Sequence, residues 1–392
     1  MTASVVITGP ISPADVEHLL TGRDRNVARS IAGYRGVPVS ELVTAFVAMD
    51  IDVEVVTEAP DVDAAIELQG PRLRLLIAPE RSRARERSGN LFRDERKEMT
   101  ALLNTTEGAV IHANWTYEFA WAALDTGRPV LVTAHDAPLT ILRHMHDAYR
   151  LSRTIMAWIV RMRTRNLSAV SPYLAKRWRR EMLYRRPIAV IPNIAPALIE
   201  QPSRSGLAAE LVAIGDAGPL KNMQALVDAW AILRADGREV KLNLIGHGLG
   251  RDDAFPRKVT ACGLADGIEF HGPLNRESIA EVLSRSKVFV HPSLEECCPL
   301  SVLEAMRAGT PVVGGVRSGG VPWVLADGEA GVLIDVRQPF RIAEGIVRLL
   351  DDEDESQAII ARARDRVAKH FSARVVCEAY LAEYDRLRSE SR

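Results

Sequence analysis

Short β-rich runs alternate with longer helical patterns along almost the whole chain, and this alternation limits the fold more than any other feature. Ser4–Thr8, Val53–Thr57, Leu73–Ile77, Ala109–His112 and Pro129–Thr133 are continuous apolar runs, which predicts strands buried on both faces. Val37–Met49 and Tyr117–Leu124 carry helical patterns between them. A second series predicts strands at Leu211–Ile214, Val240–Ile245, Ile268–Phe270, Val288–His291, Pro311–Val313 and Gly331–Ile334. Its first helix, Lys221–Arg234, places Met223, Leu226, Val227, Trp230 and Leu233 on one stripe. Parallel strands need crossovers, so the expected class is α/β with two Rossmann-like domains. Asn193–Gly206 fits neither pattern and holds Pro196 and Pro202, which marks the join. The expected organisation is a first domain at 1–196, a linker at 197–208, a second domain at 209–372 and a helix within 373–392 that crosses back to the first domain.

Charge and cysteine content exclude several classes. Lys plus Arg is 50 and Asp plus Glu is 51, a net charge of −1, which excludes a uniformly basic nucleic-acid coat. Apolar runs fall well short of the roughly 20 residues of a membrane-spanning helix. Met1–Pro13 lacks a basic segment followed by a long apolar one, and Cys262, Cys297, Cys298 and Cys377 form no disulfide framework. The expected setting is cytoplasmic, with reduced thiols. One segment departs from balance: within 141–186 twelve Lys and Arg face only Asp147 and Glu181. That run reads either as a solvated helical face or as a docking face for an anionic membrane surface or polyanionic acceptor, peripheral at the inner face of the cell membrane. No nucleic-acid recognition motif accompanies it, and no metal-ligand spacing or P-loop occurs.

The chemistry concentrates in His291–Pro322, HPSLEECCPLSVLEAMRAGTPVVGGVRSGGVP. A strand ends at His291, a loop carries Glu296, a helix from about Leu300 carries Glu304, and Gly309 ends it. Two carboxylates placed this way can both face the crevice at the carboxyl ends of the strands, where open α/β sheets bind ligands. Carboxylates accept hydrogen bonds from sugar hydroxyls, and a helix N-terminus favours a diphosphate. Glu296-x₇-Glu304, with the preceding Pro-Ser and the following Glu-Ala-Met and Gly-Thr-Pro-Val-Val, resembles the E-x₇-E signature of retaining glycosyltransferase family 4. LVAIGDAGPLKNMQALVDAW and LNLIGHGLG resemble the family's donor-domain loops, while AVSPYLAKRW and IAVIPNIAP resemble the end of its acceptor domain.

The resemblance implies two Rossmann-like domains facing across a cleft, of the GT-B type, and sugar transfer from a nucleotide-diphosphate sugar with retention. UDP-sugars come first as donors and GDP-sugars second, with no further cofactor and no metal. Glu296 is then expected to hold the transferred sugar, Glu304 the ribose, and Lys221 the diphosphate, whose charge grows as it leaves. Gly215, Gly246, His247, Cys298, Pro299 and Leu300 complete the expected donor site, with Gly36 and Arg35 from the loop Ala32–Ser40. His135 resembles the family's active-site histidine. His112, Asn114, Trp115, Tyr117 and Asp136 are the expected acceptor contacts.

The chain departs from the pattern at Asp216, where the family commonly has Arg, at Cys297-Cys298-Pro299 in place of Gly-Phe-Gly, and at Trp323 in place of an acid. The acceptor is expected to be a saccharide, lipid-linked or small-molecule hydroxyl, as in polysaccharide, lipopolysaccharide or glycolipid synthesis. A nucleotide-sugar 2-epimerase, a natural-product glycosyltransferase and a non-catalytic sugar-nucleotide binder stand as alternatives.

Overall fold

The computed structural model describes residues 4–34, 36–60, 62–196 and 209–390, so Arg35 and the expected linker 197–208 lie outside the described residues. The chain divides into two units: Met1–Ile194 with Ala373–Arg392, and Ala195–Ser372. The join falls slightly earlier than residue 196. Ala195 N–H donates to Phe371 O at 2.8 Å and Ala195 O accepts from Arg307 at 3.0 Å, which ties Ala195 to the second unit.

The first unit holds an eight-stranded sheet. Its strands are β1 (Val5–Thr8), β2 (Val53–Ala59), β3 (Ile66–Gln69), β4 (Leu73–Pro79), β5 (Ile111–Asn114), β6 (Val130–Ala134), β7 (Asn166–Ala169) and β8 (Ile188–Val190). Their order is β3-β4-β2-β1-β5-β6-β7-β8, all parallel except β3 against β4. The strand order reverses between β1 and β5, so a crevice opens beyond their carboxyl ends. Neither β3 nor β7 and β8 is evident in the sequence as strands. They are three or four residues long, and pairing with neighbours, rather than apolar runs, defines them; β3 and β8 are the sheet's edges.

The second unit holds six parallel strands: β9 (Glu210–Ile214), β10 (Lys241–Ile245), β11 (Ile268–Gly272), β12 (Val288–His291), β13 (Val312–Gly315) and β14 (Val332–Ile334). The order β11-β10-β9-β12-β13-β14 is that of a dinucleotide-binding doubly wound sheet, with its reversal between β9 and β12.

The last helix, Ala373–Glu390, packs in the first unit's core through Val376, Cys377, Tyr380, Tyr384 and Leu387. Each fully buried apolar side chain of this size contributes roughly 1.5–3 kcal/mol. Tyr384 also reaches the sheet: its hydroxyl lies 2.7 Å from His112 Nδ1, while His112 Nε2 lies 2.7 Å from Thr133 Oγ1, which in turn meets Ser168 Oγ at 2.6 Å. Burial, with a smaller push from nearby His135, holds His112 down at about 3, so it is neutral. Tyr384→Phe leaves Nδ1 of His112 buried without its partner, a cost of about 1–3 kcal/mol. Urea unfolding should show a lowered midpoint at unchanged m-value, and an unchanged midpoint would mean that the bond contributes nothing.

Candidate functional site

In the second unit the site grows from the ends of β9 and β12. The chain leaves β9 at Gly215 and makes a 3₁₀ turn at Pro219–Lys221 before the helix Met223–Ala235. This helix starts later than its apolar stripe suggests. Asn222 adopts a left-handed conformation (φ 52°) that breaks the turn from the helix and leaves Lys221 outside it. Asn222 Nδ2 donates to Pro292 O at 3.2 Å and Val336 O at 2.8 Å, and Leu294 N–H donates to Leu220 O at 2.8 Å. The Lys221 turn is thereby laced to the loop after β12.

That loop carries Glu296, whose Oε1 lies 2.5 Å from Lys221 Nζ and 3.6 Å from His291 Nε2. Its backbone oxygen accepts from Gly320 N–H at 2.7 Å, and Ser318 Oγ donates to Ser293 O at 2.5 Å. Burial alone would raise the Glu296 carboxyl, but His291 and the Lys221 ammonium outweigh it and hold it at about 2. Burial pulls Lys221 downward, and Glu296 more than offsets this, leaving it raised. Both groups are charged over the whole physiological range.

Cys298 and Pro299 are buried and lead into the helix Leu300–Ala308, whose first N–H groups open at this end of the sheet. Glu304 is half-buried on that helix, which the left-handed Gly309 (φ 74°) ends. The two loops after β9 and β10 touch: Gly215 N–H donates to Ile245 O and Ala217 N–H to His247 O, both at 2.9 Å. A Cβ on Gly246 (φ 138°) would sit 1.7 Å from Gly215 O, so only glycine fits there. The His247 side chain is exposed. Asp216 accepts from Gly218 N–H at 2.7 Å, so the acid that stands in the place of a cation shapes its own loop.

In the first unit the strand ends at the reversal place a different set of groups. Asn114 ends β5, and Trp115 follows in a left-handed conformation (φ 67°) that costs on the order of 1–3 kcal/mol for a bulky residue. Trp115, Tyr117, Asp136, Tyr34, Tyr149 and Arg153 are among the residues lining a cavity of about 230 Å³. The Tyr117 hydroxyl donates to both Asp136 oxygens at 2.8 Å, and Arg153 lies over the Tyr117 ring while pairing with Glu118 at 3.0 Å. Burial raises the Asp136 carboxyl against the opposing pull of Tyr117. His135 follows β6, and its Nε2 lies 2.9 Å from Asn114 Oδ1. Because that oxygen only accepts, Nε2 carries the proton and Nδ1 keeps its lone pair. Burial lowers His135 to about 4, so the ring is neutral.

Gly36 caps the helix Val37–Ala48 and presses on Pro10, where a Cβ would lie 1.7 Å from Pro10 O.

Two expected acceptor residues are placed otherwise. His112 is buried with both ring nitrogens engaged, and Asn114 is buried with its oxygen held by His135, so both belong to the framework rather than the cavity. Asn222, His291, Ser318, Tyr34, Tyr149 and Arg153 are the residues that sequence reasoning missed. The asparagine in the donor-loop run was the one visible signal, since Asn tolerates left-handed backbone. Among the described residues no group of His, Cys, Asp or Glu is placed to hold a metal ion, and no helix is long and apolar enough to cross a membrane.

Comparison with known proteins gives the family and the fold. The family described as Glycosyltransferase Family 4 matches residues 36–195, and that described as Glycosyl transferases group 1 matches residues 200–366. A D-inositol 3-phosphate glycosyltransferase of Streptomyces avermitilis is 32% identical over 160 residues, 39% of this chain and 33% of that protein. An MMP alpha-(1->4)-mannosyltransferase of Mycolicibacterium hassiacum is 30% identical over 199 residues, 50% of this chain and 48% of its own length. The matched segments thus span between a third and half of these relatives. Among solved structures, sucrose-phosphate synthase from Thermosynechococcus elongatus superposes with a TM-score of 0.79 at 21% identity, covering 99% of this chain and 100% of that one. Anabaena HepE in complex with UDP-glucose gives 0.69 at 16% identity, covering 99% and 100%. These structural likenesses concern the fold.

The depressed Glu296 sets a pH dependence. Its folded value lies below the ordinary 4.5, so its contribution to stability is fully present above that pH and is lost as the pH falls toward about 2. Glu296→Gln removes the titrating group. Urea unfolding of both proteins from neutral pH to about pH 3 should show the wild type losing its advantage as acid is added. Parallel pH profiles would contradict the assignment.

Proposed function

The chain belongs to the family 4 and group 1 glycosyltransferases of two-Rossmann type, and from that premise we propose that it is a retaining glycosyltransferase, moving a sugar from a nucleotide-diphosphate sugar to an acceptor hydroxyl. The observation that carries the reading is the Lys221–Glu296 pair, fixed at the strand reversal of the second unit beside the start of Leu300–Ala308. An ammonium and a helix N-terminus are complementary to a diphosphate whose charge grows as the glycosidic bond breaks. Glu296 stays a carboxylate and can only accept, which suits sugar hydroxyls and not proton donation. When a donor binds, the ammonium turns from Glu296 toward phosphate, and the freed carboxylate oxygen takes a hydroxyl.

The chemistry follows from what the side chains can do. His135 is neutral and held by Asn114, so it contributes a fixed dipole and a lone pair at Nδ1, not a positive charge. A front-face reaction fits these groups: the departing phosphate oxygen takes the acceptor proton while the protein positions the reactants and stabilises charge. UDP-sugars are the first choice of donor, GDP-sugars the second, and the HepE complex with UDP-glucose supports that order.

The aromatic cavity of the first unit supports a hydroxylated acceptor: Trp115 and Tyr34 offer ring faces to C–H surfaces, and Asp136 accepts hydroxyl protons. A polyol phosphate is one such acceptor, since the Streptomyces relative is named for D-inositol 3-phosphate. An acceptor cavity favours transfer over 2-epimerisation, which needs the nucleotide sugar alone. Docking on an anionic membrane surface through 141–186 draws on a smaller excess than the sequence suggests. Arg143 and Arg177 pair with Glu181, Arg150 with Asp147, Arg153 with Glu118 and Arg163 with Asp125.

A thermal-shift screen of nucleotide sugars should pick out one class by raising Tm, since a ligand of the native state stabilises it by mass action. With the stabilising donor, Lys221→Ala, Glu296→Ala and His135→Ala should each lower turnover by about 10²-fold or more while remaining folded. Near-normal transfer by the first two variants would remove the donor site from the second unit's reversal. An epimer formed from donor alone would replace transfer with isomerisation.

A further inference from the structure

Five arginines, Arg161, Arg163, Arg165, Arg185 and Arg186, line a separate cavity of about 330 Å³ in the first unit. Arg165 leads into β7 and Arg186 into β8, so this cavity lies at the amino ends of those strands. Trp115 and Asp136 follow the carboxyl ends of β5 and β6, at the other edge of the sheet.

Two of the guanidinium groups are fixed. Arg161 donates to Met182 O at 2.8 Å and Leu183 O at 2.5 Å, and Arg163 donates to Leu124 O at 3.2 Å while pairing with Asp125 at 2.7 Å. The backbone between them is tied as well, since Tyr184 Oη donates to Arg165 O at 3.0 Å and Leu183 turns the chain in a left-handed conformation (φ 52°). Arg165, Arg185 and Arg186 are exposed and have no acidic partner among the described residues. A merely solvated face would spread long, free side chains over a convex surface. Here five arginines, two of them tied back, line one hollow, and Asp125 is the one carboxylate paired with any of them. Guanidinium cannot shed its proton, so a bound anion lowers the repulsion among these groups, and its planar fork matches phosphate oxygens in pairs. The volume is at the small end for a ligand site and suits one or two phosphoryl groups.

We infer that this arginine-lined cavity is a second anion site, which binds a phosphate or diphosphate group away from the proposed transfer chemistry. It does not rest on the donor-site reading. The group can come from a soluble phosphorylated compound or from a phospholipid headgroup, which the exposed Met162 in the lining would suit.

The test is titration calorimetry of the full chain with inorganic pyrophosphate, in three forms: wild type, Lys221→Ala, and Lys221→Ala combined with Arg165→Ser, Arg185→Ser and Arg186→Ser. Lys221→Ala weakens the donor site, so the binding it retains reports the arginine cavity. The three serine changes should weaken that retained binding by roughly tenfold or more. Loss of all pyrophosphate binding in Lys221→Ala alone would overturn the second site while supporting the donor site. Equal affinity with and without the arginines would also overturn it. In parallel, sedimentation of the wild type and of the serine triple variant with phosphatidylglycerol vesicles, against phosphatidylcholine vesicles, separates the sources. Retention on the anionic vesicles that the triple variant loses identifies a lipid headgroup. Loss of pyrophosphate binding with no vesicle retention by the wild type identifies a soluble phosphate. Arg185→Gln alone, an exposed change, gives a weaker shift in the same direction should the triple variant be unstable.

Discussion

The second unit is organised around one short ion pair. Lys221 and Glu296 meet at 2.5 Å, each partly withdrawn from water, and each keeps the other charged. Part of the attraction offsets the desolvation of the two charges, and the remainder keeps Glu296 ionised. Its consequence is positional. Asn222, Leu294, Ser318 and Gly320 make backbone-directed hydrogen bonds that hold the two loops in register, and the pair closes that register with charge. A positive and a negative group are thereby held side by side, and in the proposed reaction they separate onto a phosphate and a hydroxyl.

The first unit treats the histidine within β5 and the one that follows β6 in opposite ways. His112 is inside the core, between Tyr384 and Thr133, with no nitrogen left for a ligand. His135, just past the next strand, spends one nitrogen on Asn114 and keeps the other. Both are neutral through burial, yet one is framework and the other is available for chemistry. Trp115 bears a left-handed backbone at the edge of the aromatic cavity.

The surface of the first unit shows why a count of charges along a sequence overstates a basic face. Within 141–186, five arginines are paired with acids, two of which, Glu118 and Asp125, lie outside the segment. What remains is divided between the helix Pro172–Glu181, with Lys176, Arg179 and Arg180, and the short approaches to β7 and β8, where the proposed anion site lies.

The two α/β halves, most strand positions, the glycines at 36, 215 and 246 and the loop–helix that carries Glu296 and Glu304 were all legible in the sequence. Each is a local matter: an unbroken apolar run buries on both faces of a sheet, a stripe of apolar residues makes a helix, and a close chain approach admits only glycine. The short strands β3, β7 and β8 were not legible, because three or four residues become a strand only through a neighbour's hydrogen bonds. Nor was the fate of His112, which is decided by Tyr384, 272 positions along the chain, or the pairing of Lys221 with Glu296 across 75 positions. Local sequence sets which groups are present at the ends of strands. Which of them meet, which are buried and which stay free depends on packing between distant segments, and only the tertiary structure decides that.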